Sequence, residues 1–111
     1  MKRYCLALDL VDDEQMIQEY ENYHKNVTPE IRESISSAGV ESMEIFRAGN
    51  RMFMIMMVND TFSFEKKAAM DAANPAVQVW ENLMWKYQQA IPSAKPGEKW
   101  VVMEQVYPPQ G

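Results

Sequence analysis

The stretch Arg51-Met52-Phe53-Met54-Ile55-Met56-Met57-Val58 is apolar at every position after its first residue. Successive side chains of a strand point to opposite faces, so a strand apolar on both faces belongs in mid-sheet with both sides covered. Ala48-Gly49-Asn50, typical turn chemistry, precedes it. Before that turn, residues 40–47 alternate Met43 and Ile45 against Glu44 and Phe46, which makes the pair a hairpin. Residues 4–11 are likewise apolar on both faces and read as a second central strand. Asp12 and Asp13 then offer an N-cap, and Met16, Ile17, Tyr20, Tyr23, His24 and Val27 recur at helical spacing until Pro29. A second helical segment, with Thr28 as its N-cap and Pro29 in its first turn, aligns Ile31, Ile35 and Ala38 and stops at Gly39. Beyond the hairpin, residues 64–73 and 75–90 are helical in pattern, with Val77, Trp80, Met84 and Tyr87 on one stripe. Residues 99–107 read as a last strand, ended by Pro108-Pro109.

The order is strand, helix, strand, strand, helix, strand, the split βαβ pattern of ferredoxin-like α+β folds with a four-stranded antiparallel sheet. In that fold the helices cover one sheet face only. Strands apolar on both faces therefore require a second cover, and the economical one is another copy of the same sheet. The expectation is a homodimer in which two sheets form a dimeric α+β barrel.

The 111 residues fit a single domain spanning 1–111, and 47% hydrophobic content is enough to build a core. A net charge of -5 and a pI near 4.8 repel phosphate backbones and anionic lipid, so nucleic acid and membrane surfaces are not expected partners. No stretch approaches the roughly 20 apolar residues of a membrane span. Asp9 breaks the apolar run near the start, and Asp12-Asp13-Glu14 stands where a signal-peptide cleavage site would need small residues. One cysteine, Cys5, allows no internal disulfide and no paired-cysteine metal module, and the expected location is the cytoplasm.

His24 is the only histidine, and imidazole is the side chain whose reference pKa, about 6.5, lies nearest neutrality. Tyr20 lies four positions earlier. On a helix that spacing places both side chains on one face, about 6 Å apart along the axis, within reach of two oxygens of one small molecule. The same spacing also suits two half-buried residues of an ordinary amphipathic helix. Trp80, and Trp85 a turn later, could stack on the apolar face of a sugar ring, although a Trp on a helical stripe is by default core. Four methionines between 52 and 57 cannot converge on a metal, because alternate strand positions face opposite ways, and no metal is expected. No phosphate-cradling glycine loop, nucleophile elbow or paired-Cys redox motif occurs, so no cofactor is expected. What stays open is proton transfer by His24, with Tyr20 and Glu81 beside it, on a small neutral substrate.

The chain resembles the L-rhamnose mutarotase family over nearly its whole length. The resemblance rests on Tyr20-x-x-x-His24-x-x-x-x-Pro29-Glu30, the turn at Gly39, Gly49-Asn50-Arg51, Gln78-x-Trp80-x-x-x-Met84, and the closing Met103-Glu104-Gln105-Val106-Tyr107. It implies a dimeric ferredoxin-like protein that interconverts the α and β anomers of a 6-deoxy-sugar, with His24 as general acid, Tyr20 as a substrate-binding residue and Trp80 as a wall of the sugar pocket. Two positions depart from the pattern. Glu81 stands where some members continue a Trp-Trp pair, and Met43 where some carry a tyrosine, while a shifted alignment would use Trp85. These substrate-binding candidates bear on the choice between L-rhamnose and L-fucose. Two rival readings remain: a dimeric-barrel monooxygenase or haem-handling protein, with His24 as axial ligand, and a non-catalytic sugar-binding module.

Overall fold

The computed structural model describes residues 1–109. Strand β1 (Lys2–Leu10) leads to helices α1 (Glu14–Lys25) and α2 (Pro29–Ser37), then to the hairpin β2 (Val40–Ala48) and β3 (Arg51–Val58). Helices α3 (Phe64–Ala72) and α4 (Pro75–Trp85) follow, then two short strands, β4 (Gln88–Gln89) and β5 (Val101–Val102). The sheet order is β2-β3-β1-β4, and β5 also pairs with β1, all antiparallel. The fourth position of the expected four-stranded sheet is thus shared by two fragments on the free edge of β1. No helix among the described residues is long and apolar enough to cross a membrane.

Caps locate the helix starts. Asp13 accepts from the Met16 N–H at 3.0 Å, Ser63 from Lys66, and Asn74 from Ala76 and Val77, with Pro75 in the first turn of α4. Thr28 stands at the N-cap of α2, but its side chain makes no capping bond.

Two boundaries differ from the sequence reading. The helical stripe does not run to residue 90; α4 ends at Trp85, and the next residues are captured by β1. The Val11 N–H donates to the Tyr87 carbonyl at 2.8 Å, and Gln88 pairs with Leu10. Tyr87 is buried at the end of the helical stripe, so periodicity alone does not reveal the break. The last strand is also shorter than residues 99–107. After the Met103 N–H donates to the Cys5 carbonyl at 2.7 Å, regular pairing ceases. Val102, Met103, Val106 and Tyr107 are all exposed, so no buried face holds that segment against the sheet.

Register sorts the side chains into two faces. Leu6 and Leu8 lie opposite Met54 and Met52, and with Leu10 and Val58 they form the side that carries the helices. Leu8, Leu10, Met52 and Val58 are completely buried there, each burial contributing about 1.5–3 kcal/mol. The other face presents Cys5 opposite Ile55, Ala7 opposite Phe53, and Phe46 opposite Phe53. Phe46 is 51% exposed, and Phe53, Ile55 and Met57 are only partly buried. The expected second apolar face exists, and no helix among the described residues covers it.

Gly39 joins α2 to β2 at φ +98°, and a Cβ there would stand 2.6 Å from the Asn59 side-chain oxygen, which already accepts from Thr61. Both the left-handed backbone and the contact exclude a larger residue. Gly39→Ala is expected to lower stability by about 2 kcal/mol. Urea unfolding measures this; an unchanged midpoint would contradict it.

Candidate active site around Tyr20 and His24

Tyr20 projects from the middle of α1 into the core formed by Leu8, Leu10, Met52, Met84 and Tyr87, and is 4% exposed. His24 follows one turn later, partly buried, with its ring 4.4 Å from the Tyr20 ring, centroid to centroid. Trp80, from α4, meets the imidazole edge-on at 5.4 Å. Three residues singled out in the sequence, Tyr20, His24 and Trp80, therefore form one aromatic cluster.

Hydrogen bonding orients the imidazole. His24 Nδ1 lies 2.9 Å from the main-chain carbonyl oxygen of Tyr20. A carbonyl can only accept, so Nδ1 carries the hydrogen, and Nε2 is the nitrogen left to exchange a proton with a ligand. The Tyr20 hydroxyl oxygen accepts from the Gln88 side-chain amide at 3.4 Å. Burial pushes the Tyr20 phenol above its ordinary value of 10.0, and the Gln88 hydrogen bond offsets part of that rise. The phenol is thus neutral at physiological pH, a hydrogen-bond donor rather than a base. Next to it, the Tyr23 ring lies 5.9 Å from that of Tyr87, whose hydroxyl donates to Glu19 at 3.3 Å.

The remaining candidates lie elsewhere. Met43, on β2, packs with the second core cluster, which contains Val40, Met54 and Met56. Glu81 lines an open cavity of about 360 Å³ between α3 and α4, together with Phe64, Lys67, Asp71 and Gln78. Trp85 is 41% exposed, and the Lys99 ammonium sits 5.1 Å above its ring. Of the two tryptophans left open by the sequence, Trp80 is the one in contact with His24. A second cavity, of about 340 Å³ near α2, is lined by Glu30, Ser34, Met70 and Asn74, among others. Neither cavity is lined by Tyr20 or His24; Tyr20 is buried, and the partly buried imidazole and Trp80 are the members of the cluster that reach the surface.

Sequence reasoning missed Gln88 and Trp100. Gln88 was hidden by the assumption that α4 continues. Trp100, just before β5, packs against both core clusters, and its only signal was its place within residues 99–107, read as the last strand.

The family model described as L-rhamnose mutarotase matches residues 3–108. The chain belongs to the L-rhamnose mutarotase family. Within this mutarotase family setting, the chain is 46% identical over 102 residues to an L-fucose mutarotase of Xanthomonas campestris pv. campestris, covering 90% of this chain and 82% of that protein. The solved structure of an L-rhamnose mutarotase from Formosa agariphila superposes with a TM-score of 0.71, at 21% identity, over 99% of this chain and 100% of the other. A dimeric ferredoxin-like protein from an uncultured marine organism superposes with a TM-score of 0.52 at 10% identity, over 84% of this chain and 95% of the other. The two structural likenesses support the ferredoxin-like α+β fold.

The raised Tyr20 pKa has a linkage consequence. The folded state holds this proton more tightly than the unfolded state, so the contribution is complete below the unfolded value near 10 and is lost as pH rises through the folded value. Stability should fall as pH rises above about 10, and less steeply in Tyr20→Phe. Urea unfolding across that range checks this; identical slopes in the two proteins would contradict it.

Proposed function

We propose that this protein is an aldose mutarotase that interconverts the α and β anomers of a 6-deoxy-hexose by general acid and base catalysis. L-Fucose stands first among the substrates because of the 46% identical L-fucose mutarotase, and L-rhamnose second, from the family. The observation that carries the reading is the cluster of Tyr20, His24 and Trp80 with the imidazole held through Nδ1.

The chemistry follows from those atoms. A pyranose opens when its ring oxygen gains a proton, the anomeric hydroxyl loses one, and the bond from the anomeric carbon to the ring oxygen breaks. Rotation about the bond between the first two carbons, followed by reclosure, gives the other anomer. His24, as imidazolium, delivers the proton from Nε2 to the ring oxygen and recovers it on closure, while solvent water takes the proton of the anomeric hydroxyl on opening and returns one to the carbonyl oxygen on closure. Tyr20, neutral because buried, donates a hydrogen bond to a neighbouring sugar oxygen and holds the ring in place. Trp80 offers an apolar surface to the sugar's carbon skeleton. All three act on a neutral substrate by positioning and proton transfer, which needs no cofactor. A positioned acid or base contributes about 100- to 10,000-fold.

On this reading the protein works in the cytoplasm as a homodimer, with no nucleic-acid or membrane partner. Support for the dimer comes from the uncovered sheet face of Phe46, Phe53, Ile55 and Met57, because contiguous apolar area of this kind marks an association surface.

Two outcomes are expected. His24→Ala should lower catalysed anomer exchange of L-fucose or L-rhamnose by about 100-fold or more while the melting temperature stays near wild type. Saturation-transfer NMR on the anomeric protons reads this, and wild-type exchange in the variant would remove His24 from the mechanism. Ile55→Glu, which sets a second carboxylate opposite Glu44, should convert the dimer to monomer in sedimentation velocity. A wild-type protein that sediments as a monomer at high micromolar concentration would overturn the dimer.

A further inference from the structure

We propose that Gln88 is a positioning residue for the reaction, its side-chain amide donating to the Tyr20 oxygen so that the phenol's own hydrogen is aimed at the sugar. The inference rests on the mutarotase activity proposed above and adds a residue to it.

Gln88 is out of place by composition. Strand alternation puts Gln89 opposite Asp9, on the far face, and Gln88 opposite Leu10, on the face that carries the helices. On that face Leu10, the strand partner of Gln88, and Tyr20 belong to the apolar core, and an apolar residue would be the ordinary choice for packing. An amide partly buried among such groups costs free energy unless it is hydrogen-bonded, and its bond goes to the Tyr20 oxygen at 3.4 Å. A polar residue that breaks the local pattern and engages the buried phenol of Tyr20 is what a site requirement leaves behind.

Direction is the functional point. A phenol oxygen can accept and its hydrogen can donate at the same time. With the amide as donor, the oxygen's lone pair is used and the hydrogen stays free for a ligand. The backbone makes the donor rigid: β4 is tied to β1 by the Leu10 and Asp9 pairings and by the bond from Val11 to the Tyr87 carbonyl. The titratable groups around Tyr20 are His24, stacked on its ring, and Tyr87, whose hydroxyl is engaged by Glu19.

Two substitutions separate this role from packing. Gln88→Leu removes the donor and suits the apolar face, so stability should hold or rise. Its kcat for anomer exchange should fall about tenfold, with KM changed by less than about twofold. Gln88→Glu replaces the donor by an acceptor, which draws the phenol hydrogen to itself, and kcat should fall further than in Gln88→Leu. With tyrosine labelled at the ring carbon bearing oxygen, NMR should show Tyr20 titrating at higher pH in Gln88→Leu, because burial remains while the lowering contact is gone. Wild-type kcat in Gln88→Leu, or equal kcat in the two variants, would overturn the proposal. The wild-type arm tests the underlying reading separately: if the unmodified protein exchanges neither L-fucose nor L-rhamnose, the mutarotase assignment falls and takes the role of Gln88 with it.

Discussion

Burial of one phenol ring is the constraint on which the site depends. Tyr20 is wedged between β1, β3 and the end of α4, against Leu8, Leu10, Met52, Met84 and Tyr87. That contact fixes the rotation of α1 about its axis. Fixing the helix fixes the Tyr20 carbonyl, and the carbonyl fixes the His24 ring through Nδ1. A residue counted as core therefore decides which imidazole nitrogen faces a ligand. The same burial keeps the phenol protonated, so the two side chains divide the work: one moves protons and the other directs a hydrogen bond.

The sheet separates this chemistry from association. Helices, core and aromatic cluster lie on the side of Leu6, Leu8 and Leu10, while the opposite side shows Phe46, Phe53, Ile55 and Met57. The two sets alternate along the same strands, so each strand serves both tasks at adjacent positions. On the far face, the Asp9 carboxylate accepts two hydrogen bonds from Arg51, at 2.8 and 3.1 Å. This is a paired charge beside the apolar patch of Phe46, Phe53, Ile55 and Met57, which Glu44, Ser42 and Arg3 also border.

Much of this was legible in the residues. The all-apolar run from Met52 to Val58, the turn at Gly49-Asn50, the cap offered at Asp12 or Asp13 and the helical patterns opening at residues 64 and 75 locate β3, the hairpin and the helix starts, because each rests on local chemistry. The spacing of Tyr20 and His24 placed them on one helix face, and Trp80 proved to share their contact. What was not legible depends on tertiary pairing. Nothing between Tyr87 and Ala90 signals a helix end; the break is made by the edge of β1, which captures Tyr87 and Gln88. Gln88 could not be seen as a partner of Tyr20 while it was read as helical. Trp85 and Glu81 carried plausible site chemistry, yet they point away from His24, because a helix turns about 100° per residue and Trp80 alone is in phase with the core stripe. Met43 likewise belongs to the second core cluster, a position that no periodicity distinguishes from its neighbour Ile45.

The most direct measurement uses the single histidine. With nitrogen-15 histidine incorporated, the two ring nitrogens of His24 give one resolved pair of signals, and the neutral form should show Nδ1 carrying the hydrogen and Nε2 as the unprotonated, pyridine-like nitrogen. Addition of a 6-deoxy-sugar that the protein exchanges should shift Nε2 and leave Nδ1 nearly unmoved. A neutral ring with its hydrogen on Nε2, or a sugar-induced shift at Nδ1 alone, would contradict the account.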